Sequence, residues 1–266
     1  ASLFSPLSQV AAGNPFAAQH QRAFSPEELL SVADGNRMVV APYTQRLIAR
    51  DQVNQSAALV FMSTALADDL GIPQEQRVYL HGQAAAGEQP VTLRPDMGRA
   101  PSAGLALETA LERAEVNVGD IDLFDFYSCF PIAVSNAIEA LGIAADDPRG
   151  LTLTGGLPYF GGPGNSYSMH AIAEAVARLR SGQGRLALIA ANGGFLTKYA
   201  VGIYGRAPSP YRSTGNEDLD QQMQSIGTVS FESKPSGQAR IESYTVAFNR
   251  EGSATMSIVT ARLEGS

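Results

Sequence analysis

The chain has 266 residues, 44% of them apolar and 17% charged, with a net charge of −7, one cysteine and three histidines. That is enough for one large domain or two modest ones with a real core. A single thiol excludes an internal disulfide and a multi-cysteine metal site. His20, His81 and His170 lack metal-ligand spacing. Interspersed charges with an acidic excess argue against nucleic acid as a partner, and no apolar run is long enough to cross a bilayer. The first residues lack a basic region and a long apolar stretch, so the cytoplasm is the expected setting. The chain opens at Ala1 with loop-like residues, which reads as a fragment beginning within a domain.

Residues 1–24 read as irregular, broken by Pro6, Gly13 and Pro15. Ser25-Pro26-Glu27-Glu28 predicts a helix start, with a serine cap, proline at the first position and glutamate three residues on. Residues 36–54 read as a surface loop. Ala57 to Met62 predicts a buried strand, and Ser63 to Leu70 a helix stopped by Gly71-Ile72-Pro73. Arg77 to Gly82 predicts a second strand. The helix opened by Pro101-Ser102 carries Leu107, Ala110, Leu111 and Ala114 on one face. Ile121 to Phe126 predicts a third strand. Pro131 to Gly142 follows as a helix with Val134, Ala137, Ile138 and Leu141 inward.

Leu151 to Thr154 reads as a short strand leading into glycines, and Met169, Ile172, Ala173, Val176 and Leu179 mark a further helix. Arg185 to Ala191 is an uninterrupted apolar strand, as in a sheet covered on both faces, and 200–204 reads as the strand beside it. This alternation over 57–205 predicts an α/β fold with a mostly parallel sheet covered by helices. Residues 206–220 read as a linker. Tyr244, Val246 and Phe248, then Asn249 to Gly252, then Met256 and Ile258 predict a small β-hairpin extension. A lone hairpin is marginal in water, so it must pack on something.

Three strand ends carry the chemistry. Cys129 lies at a strand-to-helix junction, at the sheet edge where α/β proteins bind ligands. The helix terminus there is expected to favour the thiolate; the alternative is a small buried apolar residue. The segment from Leu153 to Tyr167, with Gly155, Gly156, Gly161, Gly162, Pro163 and Gly164, enters a helix. Its amides suit close approach to an oxyanion. It matches neither a phosphate loop nor the dinucleotide fingerprint. Asn192-Gly193-Gly194 ends the most apolar strand. His170 lies one turn into the helix after the glycine loop, where a half-buried structural histidine is the alternative.

On these residues the chain resembles the C-terminal half of a thiolase of the sterol carrier protein (SCP-x) type, over roughly residues 10–205. Asn14 to Ala17, Ser25 to Glu28 and Arg50 to Ala58 resemble the end of the loop region and the last strand of the N-terminal half. Tyr127-Ser128-Cys129-Phe130 stands where the family has HDCF, so cysteine and phenylalanine match. Gly155-Gly156 and Gly161-Gly162-Pro163 match GG…GHP in spacing, with Gly162 in place of the histidine. Asn192-Gly193-Gly194 matches the final glycine motif without its cysteine.

The resemblance implies a layered α-β-α-β-α thiolase-like fold, acyl-CoA substrates and a role in lipid metabolism. It implies an acyltransferase of the acetyl-CoA acetyltransferase type, with coenzyme A entering as part of the substrate and no separate cofactor. The nucleophilic cysteine would lie in an N-terminal half mostly outside this chain, and a homodimer is the family's usual state. Cys129 then handles the α-proton of the acyl group, with Tyr127 and His170 as further catalytic candidates. Gly161, Gly162, Pro163, Gly164, Tyr167, Asn192, Gly193 and Gly194 are the implied substrate-binding residues. The absent histidines at positions 127 and 162 open an alternative: a CoA-binding or retro-aldol protein using Tyr127 or Tyr167, without standard thiolysis. The implied organisation is 1–56 as the end of the N-terminal half, 57–205 as the α/β domain, and 206–266 as a linker with a partial β extension.

Overall fold

The structure, a computed structural model, describes residues 1–210 and 214–264. Helices α1 (Ser5–Gly13) and α2 (Pro26–Leu30) come first, then the short strands β1 (Met38–Val40) and β2 (Tyr43–Thr44). Helix α3 (Thr64–Asp69), strand β3 (Tyr79–Gly87), helix α4 (Pro101–Arg113), strand β4 (Leu123–Asp125) and helix α5 (Pro131–Leu141) follow. Helix α6 (Tyr167–Arg180), strands β5 (Leu186–Gly193) and β6 (Lys198–Gly205), helix α7 (Glu217–Ser225) and strands β7 (Ala239–Phe248) and β8 (Ala254–Leu263) complete the order.

Local chemistry sets several of these boundaries. At α2 the Ser25 hydroxyl accepts from the Glu28 amide and the Glu28 carboxylate from the Ser25 amide, the reciprocal cap expected from Ser-Pro-Glu-Glu. Pro131 opens α5, and Gly142, at φ +64°, closes it.

The central sheet has the order β3-β6-β5-β4. Strand β4 pairs parallel with β5, but β5–β6 and β6–β3 are antiparallel. The sheet is therefore mixed, not mostly parallel. A four-residue turn joins β5 directly to β6, and so short a link permits only antiparallel pairing. Both faces are covered, as the apolar run at 185–191 required. Ala187 and Ile189 pack in a cluster with Ala171, Ala175 and Leu179 of α6. Leu188 and Ala190, pointing the other way, join the cluster holding Leu107 and Ala110 of α4 and Val134 and Ala137 of α5.

Four expectations change. Leu151 to Thr154 forms no strand, since the amides of Leu153 and Thr154 are taken by the Asp125 carboxylate and not by a neighbouring strand. Ala57 to Met62 forms no strand among the described residues, and Val60 and Phe61 are 83% and 70% exposed. Apolar, branched residues make a strand only where a neighbour takes up their backbone N–H and C=O groups. Residues 36–54 are more than a surface loop: Val40 of β1 pairs with Ala247 of β7, giving a second sheet of order β2-β1-β7-β8. The hairpin thus rests on β1, reinforced by Thr245 Oγ1 donating to the Ala41 carbonyl at 2.7 Å. Finally, α7 begins inside the expected linker, because Leu219 and Met223 bury one face of a turn. Residues 211–213 of that linker lie outside the described residues.

Candidate active site

Strand β4 ends in Asp125, a fully buried carboxyl in an otherwise apolar segment. No cation is among its hydrogen-bonding partners. Its Oδ2 accepts from Thr152 Oγ1 at 3.0 Å, the Leu153 amide at 2.8 Å, the Thr154 amide at 3.2 Å and Thr154 Oγ1 at 3.3 Å. Its Oδ1 accepts from the Tyr167 hydroxyl at 3.2 Å, and that hydroxyl also lies 2.7 Å from Thr154 Oγ1. One side chain therefore ties together the end of β4, the entry to the glycine loop and the start of α6. Burial pushes the Asp125 carboxyl up from its ordinary range, against the pull of these hydrogen bonds. Sequence reasoning missed this residue. The signal was present: an acid inside Leu123-Phe124-Asp125-Phe126 must be buried, and a buried carboxyl demands partners.

The next four residues are held from several sides. The Tyr127 ring meets the Tyr167 ring edge-on, with centroids 5.4 Å apart. Ser128 Oγ accepts from the Leu157 amide at 3.1 Å, and the Cys129 carbonyl accepts from the Ala49 amide at 2.9 Å. The Cys129 sulfur lies 3.6 Å from Asn192 Oδ1, and Asn192 Nδ2 donates to the Tyr127 carbonyl at 3.5 Å. The structure thus brings Tyr127, Cys129, Tyr167 and Asn192 together from the end of β4, the start of α6 and the end of β5. The thiol is not shifted toward thiolate as the helix terminus suggested. Burial pushes it up, and its hydrogen-bonding neighbours, the Phe130 amide, Asn192 and its own amide, leave it raised.

The glycine loop packs rather than gapes. Gly155 and Gly156 adopt φ of +113° and +81°. A Cβ on Gly155 would sit 2.5 Å from Ala11 Cα and 2.6 Å from its nitrogen. Four loop amides are already taken within the chain: Gly155 by Thr152 Oγ1, Gly156 by Thr154 Oγ1, Gly162 by the Arg50 carbonyl and Gly164 by the Gly162 carbonyl. In this arrangement those four N–H groups are not offered to an oxyanion. Gly162 is buried, and a Cβ there would come 3.3 Å from the Arg50 carbonyl oxygen and 3.4 Å from Leu157 Cδ2. A side chain at 162, where the family motif carries histidine, would require these neighbours to shift. Pro163 is half-buried beside it and Gly164 is exposed.

His170 stands apart. Its ring lies edge-on to Phe160 at 5.4 Å, and its Nε2 is buried without a hydrogen-bond partner among the described residues. Burial lowers its pKa, so the imidazole is neutral at pH 7. Gly193 and Gly194 shape the turn into β6. There Thr197 donates to the Gly193 carbonyl at 3.0 Å, and Arg94, 5% exposed, reaches the Phe195 carbonyl at 2.8 Å. A cleft of about 1200 Å³ opens at the other end of the sheet, between His81, Asp122, Arg185 and Arg206, and none of the candidate site residues lines it.

A cysteine between β4 and α5, paired glycines in the loop between α5 and α6, and Asn-Gly-Gly at the end of β5 are the arrangement of a thiolase-like protein. The comparisons support a place among thiolase-like proteins. A crystal structure from Mycobacterium smegmatis, described as a monomeric SCP2-thiolase-like protein type 1, superposes with a TM-score of 0.92 at 44% identity, covering 98% of this chain and 57% of that one. The 3-ketoacyl-CoA thiolase of Colwellia psychrerythraea is 30% identical over 148 residues, which is 54% of this chain and 36% of that protein. The family of the thiolase-like protein type 1 additional C-terminal domain matches residues 218–266. The chain thus spans 36% and 57% of the lengths of the two relatives. The homodimer expectation finds no support here, since the Mycobacterium relative is described as monomeric. Among the described residues no helix is long and apolar enough to cross a membrane.

Proposed function

We propose that this chain is the portion of a thiolase-like acyl-CoA acyltransferase, of the acetyl-CoA acetyltransferase type, that handles the proton at the α-carbon of the thioester. The observation that carries this reading is the meeting of Cys129, Tyr127 and Asn192 at the motif positions, within 3.6 Å of one another along the chain of contacts. In the cleaving direction the nucleophilic cysteine of the N-terminal half bonds to the β-carbonyl carbon, and the α–β carbon bond breaks with its electron pair going to the α-carbon. The Cys129 thiol supplies the proton there; the incoming CoA thiol then takes the acyl group from the nucleophile and returns its proton to Cys129. Coenzyme A enters with the substrate, and no separate cofactor is invoked. The setting proposed is cytoplasmic lipid metabolism. The exposed run of Val60 and Phe61 is proposed to meet the N-terminal thiolase half, where the relatives have sequence that this chain does not match.

Cleavage of acetoacetyl-CoA by the full polypeptide tests the reading. Cys129→Ala is expected to lower the rate by at least about 10²-fold, the ordinary share of positioned acid–base catalysis; equal rates for variant and wild type overturn it.

A second reading rests on the glycine at 162 and the tyrosine at 127, where the family motifs have histidines. It is a protein that binds CoA thioesters, or cleaves a carbon–carbon bond by retro-aldol chemistry, without thiolysis. Under it, titration calorimetry with a panel of acyl-CoAs shows binding while acetoacetyl-CoA cleavage stays at background. Absence of binding to every member removes the CoA part.

A further inference from the structure

We infer that Asn192 is a positioning residue that holds Cys129 as a neutral thiol with its S–H directed at the carboxamide oxygen. The Asn192 side chain lies between two groups, the Cys129 sulfur at 3.6 Å and the Tyr127 carbonyl oxygen at 3.5 Å. A backbone carbonyl only accepts hydrogen bonds, so the edge of the amide facing Tyr127 is the NH₂. The edge facing the sulfur is then the oxygen. Turning the amide over would set two acceptors against each other at the Tyr127 carbonyl. An amide oxygen accepts from S–H and repels S⁻, so this orientation favours the thiol. Only an inverted amide would favour the thiolate.

The surroundings act in the same direction. The titratable groups that sense the sulfur's charge are Tyr43, Tyr127 and Tyr199, from β2, the β4–α5 junction and β6. None is a cation, and burial pushes each phenol above its ordinary value, so all three stay neutral at pH 7. The neighbours that point an N–H at the sulfur are the amides of Phe130 and of Cys129 itself, and burial outweighs them. Asn192 therefore decides which protonation state the site presents. Cys129 enters the reaction as an acid, with its proton aimed by β5, and not as a nucleophile.

The catalytic consequence rests on the acyl-transfer reading above; the protonation of the sulfur does not, and it is measured without substrate. Cys129 is the only cysteine in these 266 residues, and in the full polypeptide the difference from Cys129→Ala isolates its alkylation by iodoacetamide and its S–H stretching band. In the wild type the S–H band is expected at a hydrogen-bonded position, with alkylation rising only in the alkaline range. Asn192→Leu keeps the bulk and removes the acceptor. Its alkylation midpoint is expected at lower pH, with a rate about fivefold higher at a fixed pH below that midpoint, as loss of one hydrogen bond implies, and its S–H band shifts to the free-thiol position. Asn192→Asp is expected to move the midpoint up. A purely structural asparagine would leave the S–H band where it is. A free-thiol band in the wild type, or a midpoint that rises in Asn192→Leu, overturns the proposal. The wild-type band needs no Asn192 variant, so an Asn192 variant that misfolds leaves that test standing. Equal acetoacetyl-CoA cleavage by Cys129→Ala and wild type would instead count against the acyl-transfer reading alone.

Discussion

Gly155→Ala is expected to lower the free energy of unfolding by about 3 kcal/mol or more. Two costs add. The backbone there sits at φ +113°, where an L side chain is strained by about 1–3 kcal/mol. The new methyl group also lands on the backbone of Ala11, 2.5 Å from its Cα and 2.6 Å from its nitrogen, an overpacking worth about 1–3 kcal/mol. Neither side has room to yield. Ala11 is fully buried in α1, and the loop entry is held by the hydrogen bonds of Asp125. Gly150 supplies the control, since it too has positive φ (+75°) but nothing within 4 Å of an added Cβ. Gly150→Ala is expected to cost only the backbone strain, at the low end near 1 kcal/mol. Urea midpoints at unchanged m-value measure both. A Gly155→Ala loss no larger than that of Gly150→Ala would mean that α1 and the loop are not packed as described.

Asp125 separates in the same way between two substitutions. Asp125→Ala strands the buried amides of Leu153 and Thr154 together with two threonine hydroxyls. At about 1–3 kcal/mol for each unsatisfied buried amide, a loss of about 4 kcal/mol is expected. Asp125→Asn keeps an accepting oxygen for those donors and turns its NH₂ toward the Tyr167 hydroxyl. That hydroxyl accepts it and donates to Thr154 Oγ1, 2.7 Å away. The asparagine variant is therefore expected to stay within about 1 kcal/mol of wild type.

The pH dependence of stability follows from the raised Asp125 pKa. The folded chain holds this proton more tightly than the unfolded chain, whose carboxyl has its ordinary pKa of 3.8. The contribution is full below that value and is lost as pH rises through the higher folded value. A pH series of urea midpoints should show this decline in the wild type and its absence in Asp125→Asn. Parallel curves would show that Asp125 does not bind its proton more tightly when folded.

Much of the fold was legible because local rules and tertiary packing agree. The Ser25–Glu28 cap, the Pro131 start and Gly142 stop of α5, and the apolar run at 185–191 each state a requirement that the structure meets in one way. The expected strand at 57–62 failed for the opposite reason. Its composition suits a strand, but composition does not supply the neighbouring backbone that a strand needs. The positions of Cys129 after β4 and of Asn192 at the end of β5 were legible from spacing, whereas Gly155–Gly156 follow a side-chain-bound segment and not a strand. The glycine amides misled, because a glycine leaves room equally for a ligand and for another part of the chain, and at Gly155 that part is α1.

By itself the sequence pointed to the class of the fold, to the likeness to thiolases and to the segments carrying Cys129, the paired glycines and Asn192, since these depend on short-range patterns. Only the tertiary structure decided the rest. It made the sheet mixed, set the hairpin on β1 and placed His170 against Phe160. It also showed that Asp125 organises the loop and that Asn192 faces Cys129. Those contacts join residues dozens of positions apart. Their energies come from burial and from which donor meets which acceptor, and both exist only once the strands lie side by side.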